Sequence, residues 1–405
     1  MNLYPISEQK GYWVMDNNIS FEDFITSKPL FYKEIDHQRV HNAYNILKPH
    51  IHRPLTIHIV GTNGKGSTGR IMAMLLHKEG KKIGHFSSPH ILKFNERIWI
   101  EGEDSSDELL EEAHQKLYGI LEKNMSDALS YFEYTTLLAL VATQNMDVMI
   151  LEAGLGGEFD ATNIVRKELS VITPIGLDHQ DFLGNTVNEI ALTKLNSIDK
   201  RVILARQPYR EVYEVLENIQ ENREISVSII NEKENKNLLE ITQKLGWAYY
   251  LYENALLSIN ALTLLDLPYS LDSLKEISLF GRFYSLSSNL KIDVGHNVLA
   301  VRSLIQAIKK EYGSEKIILV YNSLEDKDYE TILRLLKPFI KHVEIIEMET
   351  SRSVERLKLE ESLRSLKIEY KDFQSVNMKY KYFIFGSFYV VEAFLNKIKY
   401  RIKNK

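Results

Sequence analysis

The amino-acid sequence predicts an α/β protein, with a mostly parallel sheet covered by helices on both faces and a second, smaller α/β domain. Short apolar runs alternate with helix-like segments along the chain, a pattern typical of βαβ units. A glycine-rich stretch at residues 61–67 joins a strand-like run to a helix-like segment. At 405 residues, the chain is also too long for one typical hydrophobic core.

The glycine-rich stretch has the surroundings that a phosphate-binding loop needs. Residues 56–60 are mostly apolar and β-branched, so we predict a buried strand there, and residues 68–80 have the apolar spacing of a helix. Glycines let backbone amides approach phosphate oxygens, and the helix start adds free N–H donors. We expect Lys65 to contact the outer phosphates and Ser67 or Thr68 to offer a hydroxyl to Mg²⁺.

The stretch departs from the usual phosphate-loop pattern G-x-x-x-x-G-K-[ST]. Ile59 stands where the first glycine is expected, and Gly66 separates Lys65 from Ser67. The alternative interpretation is therefore a glycine-rich turn between a strand and a helix, with an incidental lysine.

The other elements of the first domain follow in chain order. Asp36 has the residue type and position of a helix N-cap. Helices are predicted over residues 36–48, 106–123, 131–144, 187–197 and 250–265. Strands are predicted over residues 82–86, 147–151, 170–174 and 202–205.

Polar residues follow several of the predicted strands. The glycine loop, Ser88, Glu152 and His179 each come just after a strand, and in parallel sheets ligands lie beyond the carboxyl ends of the strands. Mg²⁺ prefers oxygen ligands, so a histidine would be unusual, and a lone glutamate or histidine at a strand end is more often structural. Together with a phosphate loop, these residues favour a nucleotide–Mg²⁺ site.

The alternating pattern lapses around residues 266–277. We therefore predict a first domain over residues 1–268, a linker over 269–277 and a second domain over 278–405. In the second domain, strands are predicted over 290–294, 316–320, 342–346 and 381–385, and helices are predicted to begin at 298, 329 and 389.

Charge and composition exclude several function classes. The net charge is −5, so no general field draws the chain to nucleic acid or to an anionic membrane. There is no cysteine, which excludes disulfides and thiolate sites. We find neither an apolar run long enough for a transmembrane helix nor a signal-peptide core at residues 1–18, and we expect a cytoplasmic protein.

Nine motifs, in order across most of the chain, carry a family resemblance. They are GTNGKGS (61–67), SSPHILKFNERI (87–98), YFEYTTL (131–137), LEAGLGGEFDATN (151–163), GLDHQDFLGNTVNEIALTK (176–194), GRF (281–283), DVGHN (293–297), LEDKD (324–328) and GSFY (386–389). On these motifs the chain resembles the folylpolyglutamate synthase/dihydrofolate synthase family of amide-forming ligases, which is related to the Mur ligases. The resemblance implies a Mur-ligase-type P-loop domain with a parallel sheet that binds ATP, and a smaller, Rossmann-like C-terminal domain for glutamate ligation.

The resemblance implies roles that spacing alone does not assign. Lys194 would be carbamoylated by CO₂ and would then bind a second Mg²⁺. The implied catalytic residues are Lys65, Lys194, Arg282 and His296. The implied ATP contacts are Gly61, Asn63, Gly64, Lys65, Gly66, Ser67, Asn254, Arg282 and Asp293. The implied Mg²⁺ ligands are Ser67, Ser88, Glu152, His179 and Lys194.

The resemblance also implies the substrates and the reaction. The substrates would be ATP, L-glutamate and either dihydropteroate or a folate, with two Mg²⁺ ions and with K⁺ as a further candidate. ATP would convert a carboxylate into an acyl phosphate, and the amine of glutamate would attack it to form an amide. The implied substrate contacts are Asp36, Phe132, Glu133, Phe159, Asp160, Ala161 and Ser387. The resemblance further implies a monomer.

Three departures from the family pattern keep alternatives open. Residues 35–39 are shorter than the loop that contacts dihydropteroate in bifunctional members. Tyr250-Leu251 replace the usual His-Gln before Asn254, and Leu195-Asn196 replace the usual Ala-Gly. The enzyme is therefore predicted to be bifunctional, to be restricted to polyglutamylation, or to be a neighbouring acid–amino-acid ligase. A non-catalytic nucleotide-binding module is the alternative from another class.

Overall fold

A computed structural model of the chain describes residues 19–29, 36–230 and 234–400. These residues form two β-sheets, the first with eight strands and the second with six. Within the described ranges, no helix is both long and apolar enough to span a membrane. The segment in which we sought a signal peptide, residues 1–18, lies outside the described residues.

The first sheet is built around a central strand, β1. Its strands are β1 (Leu55–Val60), β2 (Ile83–Phe86), β3 (Ile98–Ile100), β4 (Glu103–Asp104), β5 (Val148–Glu152), β6 (Leu169–Ile172), β7 (Arg201–Leu204) and β8 (Ser226–Ile229). They lie in the order β4-β3-β2-β5-β1-β6-β7-β8, and each pairing is parallel except those that β3 makes with β2 and β4. Ile59 pairs with Glu152, and Val60 pairs with Ile172. The carboxyl ends of β5, β1 and β6 therefore lie side by side, and the loops that follow them surround one crevice.

Helices cover both faces of this sheet, as predicted. They are α1 (Phe21–Ser27), α2 (His37–Leu47), α3 (Lys65–Lys78), α4 (Asp107–Ala128), α5 (Tyr131–Ala142), α6 (Gln180–Leu183), α7 (Val187–Leu195), α8 (Arg210–Asn222), α9 (Lys236–Lys244) and α10 (Tyr249–Leu264). Along β5, Val148 and Ile150 pack with residues of α3 and α10, whereas Met149 and Leu151 pack with residues of α4 and α5. This alternation buries the strand on both faces, which explains its continuous apolar run.

The second sheet repeats the architecture on a smaller scale. Its strands are β9 (Tyr284–Ser287), β10 (Leu290–Asp293), β11 (Ile317–Tyr321), β12 (Ile340–Ile345), β13 (Tyr370–Asp372) and β14 (Tyr382–Phe385). They lie in the order β13-β12-β11-β14-β10-β9, and β9 is antiparallel to β10. Its helices are α11 (Val298–Tyr312), α12 (Tyr329–Leu336), α13 (Arg356–Ser365) and α14 (Phe388–Lys397). Asp293 pairs with Phe385, so β10 and β14 end at the same edge of the sheet.

The predicted strands are confirmed to within two residues at either end. The helix predicted over 68–80 begins instead at Lys65, because Gly64 adopts a left-handed conformation with φ +90° and the loop enters the helix directly. The sequence analysis missed α1, β3, β4, α6, α8, β8, α9, β9, α13 and β13. The edge strands β8 and β13 are largely exposed and so lack an apolar run.

The predicted linker is not a free connection. Residues Leu271–Glu276 form a 3₁₀ helix, and Leu274 is fully buried in the same core cluster as α3 and α10. This segment therefore packs on the first domain. The domain bounds at residues 268 and 278 stay predictions.

Helix α3 lies close to β2 at Gly69. A Cβ at this position would overlap the buried imidazole of His85. We expect Gly69→Ala to lower the free energy of unfolding by about 1–3 kcal/mol, the usual effect of overpacking a core, as measured by chemical denaturation.

Gly119→Ala is the matched control, because Gly119 is an exposed glycine of α4. A Cβ there would meet no other described atom within 4 Å. Removing a glycine from a helix interior should stabilise the protein by roughly 0.5–1 kcal/mol. Equal changes in the two variants would contradict the close approach of α3 to His85.

Candidate active site

A large cavity lies between the two sheets. Its first-domain wall comes from the loop at residues 61–67, hereafter the P loop, and from the loops after β2, β5 and β6; its other wall belongs to the second domain. The cavity is lined by Gly61, Asn63, Gly64, Lys65, Gly66, Ser67, Ser88, Glu152, His179, Lys194, Asn254, Arg282, Asp293 and His296. The structure thus brings together the residues that we singled out for nucleotide binding, metal binding and catalysis.

The P loop leads directly into α3. A Cβ on Gly64 would come within 2.7 Å of Asn254 Oδ1, so α10 closes over the loop at this glycine. Lys65 Nζ donates to the carbonyl of Gly61 at 3.2 Å, which folds the ammonium back over the loop. The hydroxyl of Ser67 is buried and has no hydrogen-bond partner among the described residues. Amides at a helix N-terminus, an ammonium and an available hydroxyl suit a phosphate group with its cation.

Glu152 and Arg282 meet beside Gly66, one from each domain. A Cβ on Gly66 would lie 3.2 Å from Glu152 Oε2 and 3.5 Å from Arg282 Nη2. The amide of Ser88 donates to Glu152 Oε2 at 3.4 Å. Burial raises the pKa of Glu152, and the charges of Lys65 and Arg282 act against this rise. An acidic and a basic side chain therefore face the same position at the start of α3.

Lys194 points from α7 towards the P loop. Its side chain is buried, and Nζ donates to the carbonyl of Gly61 at 2.9 Å. Burial lowers the pKa of Lys194 to about 7, and the charge of Lys65 lowers it further. Gly157 leaves room for the lysine, because a Cβ there would come within 2.7 Å of the Lys194 carbonyl oxygen. A large fraction of this amine is therefore neutral near pH 7, as a reaction with CO₂ requires.

His179 lies beside a charged cluster that the sequence analysis did not single out. Asp178 Oδ1 accepts a hydrogen bond from Lys327 Nζ at 2.6 Å, and Asp178 Oδ2 lies 3.6 Å from His296 Nε2. Burial acts to raise the pKa of Asp178, but the hydrogen bond and charge of His296, with His179 and Lys327, hold it well below its ordinary value. Burial lowers the pKa of His179 to about 4, so its ring is neutral at physiological pH.

A pair of side-chain amides ties the P loop to the second domain. Asn63 and Asn297 donate to each other, both at 2.9 Å, and Asn297 Nδ2 also donates to Asp178 Oδ2 at 2.8 Å. Asn297 is the N-cap of α11. The motifs DVGHN and LEDKD contain Asn297 and Lys327, but no sequence pattern indicated that these side chains would meet Asp178.

None of the described residues that line this cavity is a predicted substrate contact. Phe132 is partly buried against the core of α4 and α5, and Ala161 is buried. Phe159 is exposed and stacks on His37, with ring centroids 4.4 Å apart. Ser387 is buried as the N-cap of α14. None of these residues lines the nucleotide cavity, but Phe132 lies against Gly154, and Asp160 accepts a hydrogen bond from the amide of Leu155; both Gly154 and Leu155 line it.

The three carboxylates among the predicted substrate contacts each hold local structure. Asp36 caps α2 by accepting a hydrogen bond from the amide of Gln38 at 2.9 Å, which confirms the predicted N-cap. Glu133 completes the capping box of α5 and pairs with Arg39 at 2.9 Å. Asp160 is buried and accepts hydrogen bonds from amides of its own loop. Their roles towards a substrate stay predictions.

The residues at the P loop fit a divalent cation that binds together with phosphates. In the described ranges, no group of three or more histidine, aspartate and glutamate side chains gathers as a preformed metal centre. However, the buried Ser67 hydroxyl has no partner among these residues, and the Glu152 carboxylate lies beside Gly66. Mg²⁺ commonly takes one or two carboxylates and completes its shell with phosphate oxygens and water. Ser67 and Glu152 match that donor set.

We expect Asp178→Asn to lower the free energy of unfolding by about 2–3 kcal/mol, because the buried Lys327 ammonium loses its charged partner. Asp326, which also pairs with Lys327 at 2.9 Å, limits the loss. Chemical denaturation measures the change. Lys244→Ala is the control: it removes an exposed pair with Glu240 and should change stability by less than about 0.5 kcal/mol. Equal stability of the two variants would contradict a stabilising role for this cluster.

A P loop that faces an arginine and a histidine of a second α/β domain suits phosphoryl transfer from a nucleoside triphosphate. The relatives of the chain show its class: it is an ATP-dependent ligase. No family model matches the chain. The dihydrofolate synthase/folylpolyglutamate synthase of Haemophilus influenzae is 32% identical over 348 residues, which cover 77% of this chain and 78% of that protein. The chain therefore belongs to the dihydrofolate synthase/folylpolyglutamate synthase family.

Solved structures share the fold. The crystal structure of Helicobacter pylori folylpolyglutamate synthetase has a TM-score of 0.78 and 37% identity, and the match covers 94% of this chain and 98% of that one. A bifunctional folylpolyglutamate synthase/dihydrofolate synthase with Mn, AMPPNP and L-glutamate bound has a TM-score of 0.77 and 25% identity, with 94% and 98% covered. The predicted family and fold class are confirmed.

Proposed function

We propose that this chain joins L-glutamate to the carboxylate of a pteroate or folate and converts ATP to ADP and phosphate. One observation carries the proposal: Glu152 and Arg282, from different domains, converge on Gly66 of the P loop. The substrates are supported by the name of the Haemophilus influenzae relative, dihydrofolate synthase/folylpolyglutamate synthase, and by the related structure that holds AMPPNP, Mn and L-glutamate together.

The chain's own residues would position the triphosphate of ATP. The P-loop amides at the start of α3 would hold phosphate oxygens, because they point out of a helix N-terminus. Lys65 would lie on the outer phosphates, and Arg282 would approach them from the second domain. Two positive charges would then flank the transferred group, where charge develops in the transition state. Asn254 and Asp293 would contact the rest of the nucleotide.

Ser67 and Glu152 would hold a divalent cation beside the phosphates, with Ser88 and His179 as further ligands. His179 suits this role because its ring is neutral at physiological pH. When bound, the cation neutralises charge on the phosphates. We propose two Mg²⁺ ions, the second held by carbamoylated Lys194; a K⁺ ion is a further prediction.

Ligation requires an activated carboxylate. The γ-phosphoryl group passes to a carboxylate oxygen of the acceptor and leaves ADP. The neutral amine of L-glutamate then attacks the acyl carbon and forms the C–N bond, the C–O bond to the phosphoryl group breaks, and phosphate and one proton from the amine leave. His296 lines the cavity on its second-domain side, and both His296 and Lys327 lie next to Asp178. Glutamate would approach from this side. Closure of the two domains would exclude water, which otherwise hydrolyses the acyl phosphate.

Both dihydropteroate and tetrahydrofolate are proposed as acceptors. The short segment around Asp36 is fixed to α5 through the ion pair between Arg39 and Glu133. This pair joins α2 to the start of α5. The substrate contacts at the segment that begins at Ser130 are proposed from the family resemblance. We further propose a monomer, as the family resemblance implies. We also propose a cytoplasmic enzyme without nucleic-acid or membrane partners, as the charge balance and composition predict.

The test measures phosphate release with ATP, Mg²⁺ and L-glutamate, and compares dihydropteroate with tetrahydrofolate as acceptor. We expect turnover only when the acceptor and glutamate are both present. Turnover with both acceptors shows a bifunctional enzyme, and turnover with tetrahydrofolate alone shows a polyglutamylation enzyme. Nucleotide binding without turnover on either acceptor would contradict the proposed substrate class.

A further inference from the structure

Tyr250 forms a hydrogen bond between the two domains inside the nucleotide cavity. It lies at the start of α10 in the first domain, and its hydroxyl donates to Asp293 Oδ2 of the second domain at 2.9 Å. Burial raises the pKa of Tyr250 well above its ordinary value, and the Asp293 carboxylate raises it further. The hydroxyl therefore stays protonated, and the bond is of the strong kind in which the acceptor is charged.

Asp293 in turn holds the turn at residues 281–283. Its Oδ2 also accepts the amide of Phe283 at 2.8 Å, and the amide of Val294 donates to the carbonyl of Gly281 at 3.0 Å. Gly281 and Phe283 have φ angles of +73° and +46°, in a region that side-chain-bearing residues rarely adopt. The conformation of this turn therefore depends on the hydrogen bonds that Asp293 and its neighbour make to it.

Arg282 is the central residue of this turn. Its guanidinium lies over the ring of Phe388, with Cζ 5.3 Å from the ring centroid. Nη2 lies 3.5 Å from the point where a Cβ on Gly66 would stand. The direction in which the Arg282 side chain extends from the second domain therefore determines whether its charge reaches the P loop.

We propose that Tyr250 is a positioning residue for the ligase reaction: through Asp293 it holds the turn at residues 281–283 and keeps Arg282 over the phosphates. The inference rests on the proposed function and deepens it. Tyr250 thereby links α10, which closes over the P loop at Gly64, to Arg282 of the second domain.

The first test removes only the hydroxyl. We expect Tyr250→Phe to lower kcat about tenfold, the effect of one lost charge-assisted hydrogen bond, with a smaller change in KM for ATP. The reason is that a displaced Arg282 loses its interactions mainly in the transition state.

Tyr382→Phe is the matched control. Tyr382 is a buried tyrosine at the start of β14, so it lies at the end of the strands opposite to the cavity. Its hydroxyl accepts a hydrogen bond from the amide of Asn377 at 3.2 Å. Removing this hydroxyl should leave kcat unchanged. A melting temperature for each variant confirms that the fold is retained.

A double-mutant cycle with Arg282→Ala then separates positioning from direct contact with the nucleotide. If Tyr250 acts through Arg282, Tyr250→Phe lowers kcat about tenfold in the wild-type background and has little further effect in the Arg282→Ala background. An equal loss in both backgrounds would overturn the inference. A rise in KM for ATP with unchanged kcat would also overturn it.

The same cycle is run on the Kd of a non-hydrolysable ATP analogue. We expect the two substitutions to be non-additive there as well, because Arg282 also faces the phosphates before reaction. A wild-type chain that binds the analogue but releases no phosphate would contradict the proposed function. The binding cycle would still decide the inference in that case, since additive effects on Kd would overturn it.

Discussion

Lys65→Ala should lower kcat/KM for ATP on the order of a thousandfold, because it removes the positive charge that stabilises the transferred phosphoryl group in the transition state. Among the described residues, Lys65 Nζ donates hydrogen bonds only to the carbonyls of Gly61 and Thr62, at 3.2 and 3.4 Å. These long contacts contribute little to the fold, so the melting temperature should change little. Steady-state phosphate release at varied ATP measures the effect.

Two further variants sharpen this prediction. Lys65→Arg keeps the charge but replaces a compact ammonium with a longer, planar group, so we expect only partial recovery. Lys200→Ala removes an exposed lysine that precedes β7, at the opposite edge of the first sheet, and should leave turnover unchanged. Unchanged turnover in Lys65→Ala would show that the phosphates lie elsewhere.

The first-domain half of the site could be predicted from the sequence because it follows from local pattern and parallel pairing. The apolar run of β5 ends at Glu152, and the register that pairs Glu152 with Ile59 places it beside the loop that follows β1. The N-cap at Asp36 could be predicted for a similar reason, since capping involves an amide two residues away. Short-range rules suffice for such positions.

The contacts between the domains could not be predicted in this way. Asp178 and Lys327 are 149 residues apart, and Asn63 and Asn297 are 234 residues apart. No periodicity relates these positions, because the packing of one sheet against the other brings them together. The motifs marked most of these segments, but only the three-dimensional structure shows that the P loop bonds to Asn297.

The edge strands and substrate contacts show another limit. Strand β8 is half exposed. It lies at the edge of the sheet, pairs only with β7 among the described strands and packs against little of the core, so its sequence has no apolar run. Phe159 was assigned to the substrate by resemblance alone, and its exposed ring stacks on His37 instead of facing the nucleotide cavity. A contact between exposed side chains leaves no periodic pattern in the sequence.

With ¹³C-labelled bicarbonate at pH 8, the wild-type protein should show a carbamate carbon signal by NMR that Lys194→Met lacks. The neutral amine attacks CO₂, an N–C bond forms, and one proton leaves, so an ammonium becomes an anionic oxygen ligand. Burial and the charge of Lys65 lower the pKa of Lys194 to about 7. Raising the pH from 6 to 8 therefore increases the neutral fraction from about one tenth to about nine tenths, and the signal should grow accordingly.

Lys194→Met should also lower kcat/KM roughly a hundredfold, as the loss of a group that supports a metal site does. Lys167→Met is the matched control, because Lys167 is another buried lysine, its pKa is lowered by burial to about 8, and it bonds to Asn163 away from the cavity. That variant should keep the carbamate signal. A signal that survives in Lys194→Met and disappears in Lys167→Met would show that the carbamate forms on Lys167, which contradicts the prediction. Wild-type protein without any signal at saturating bicarbonate would contradict the carbamoylation of Lys194.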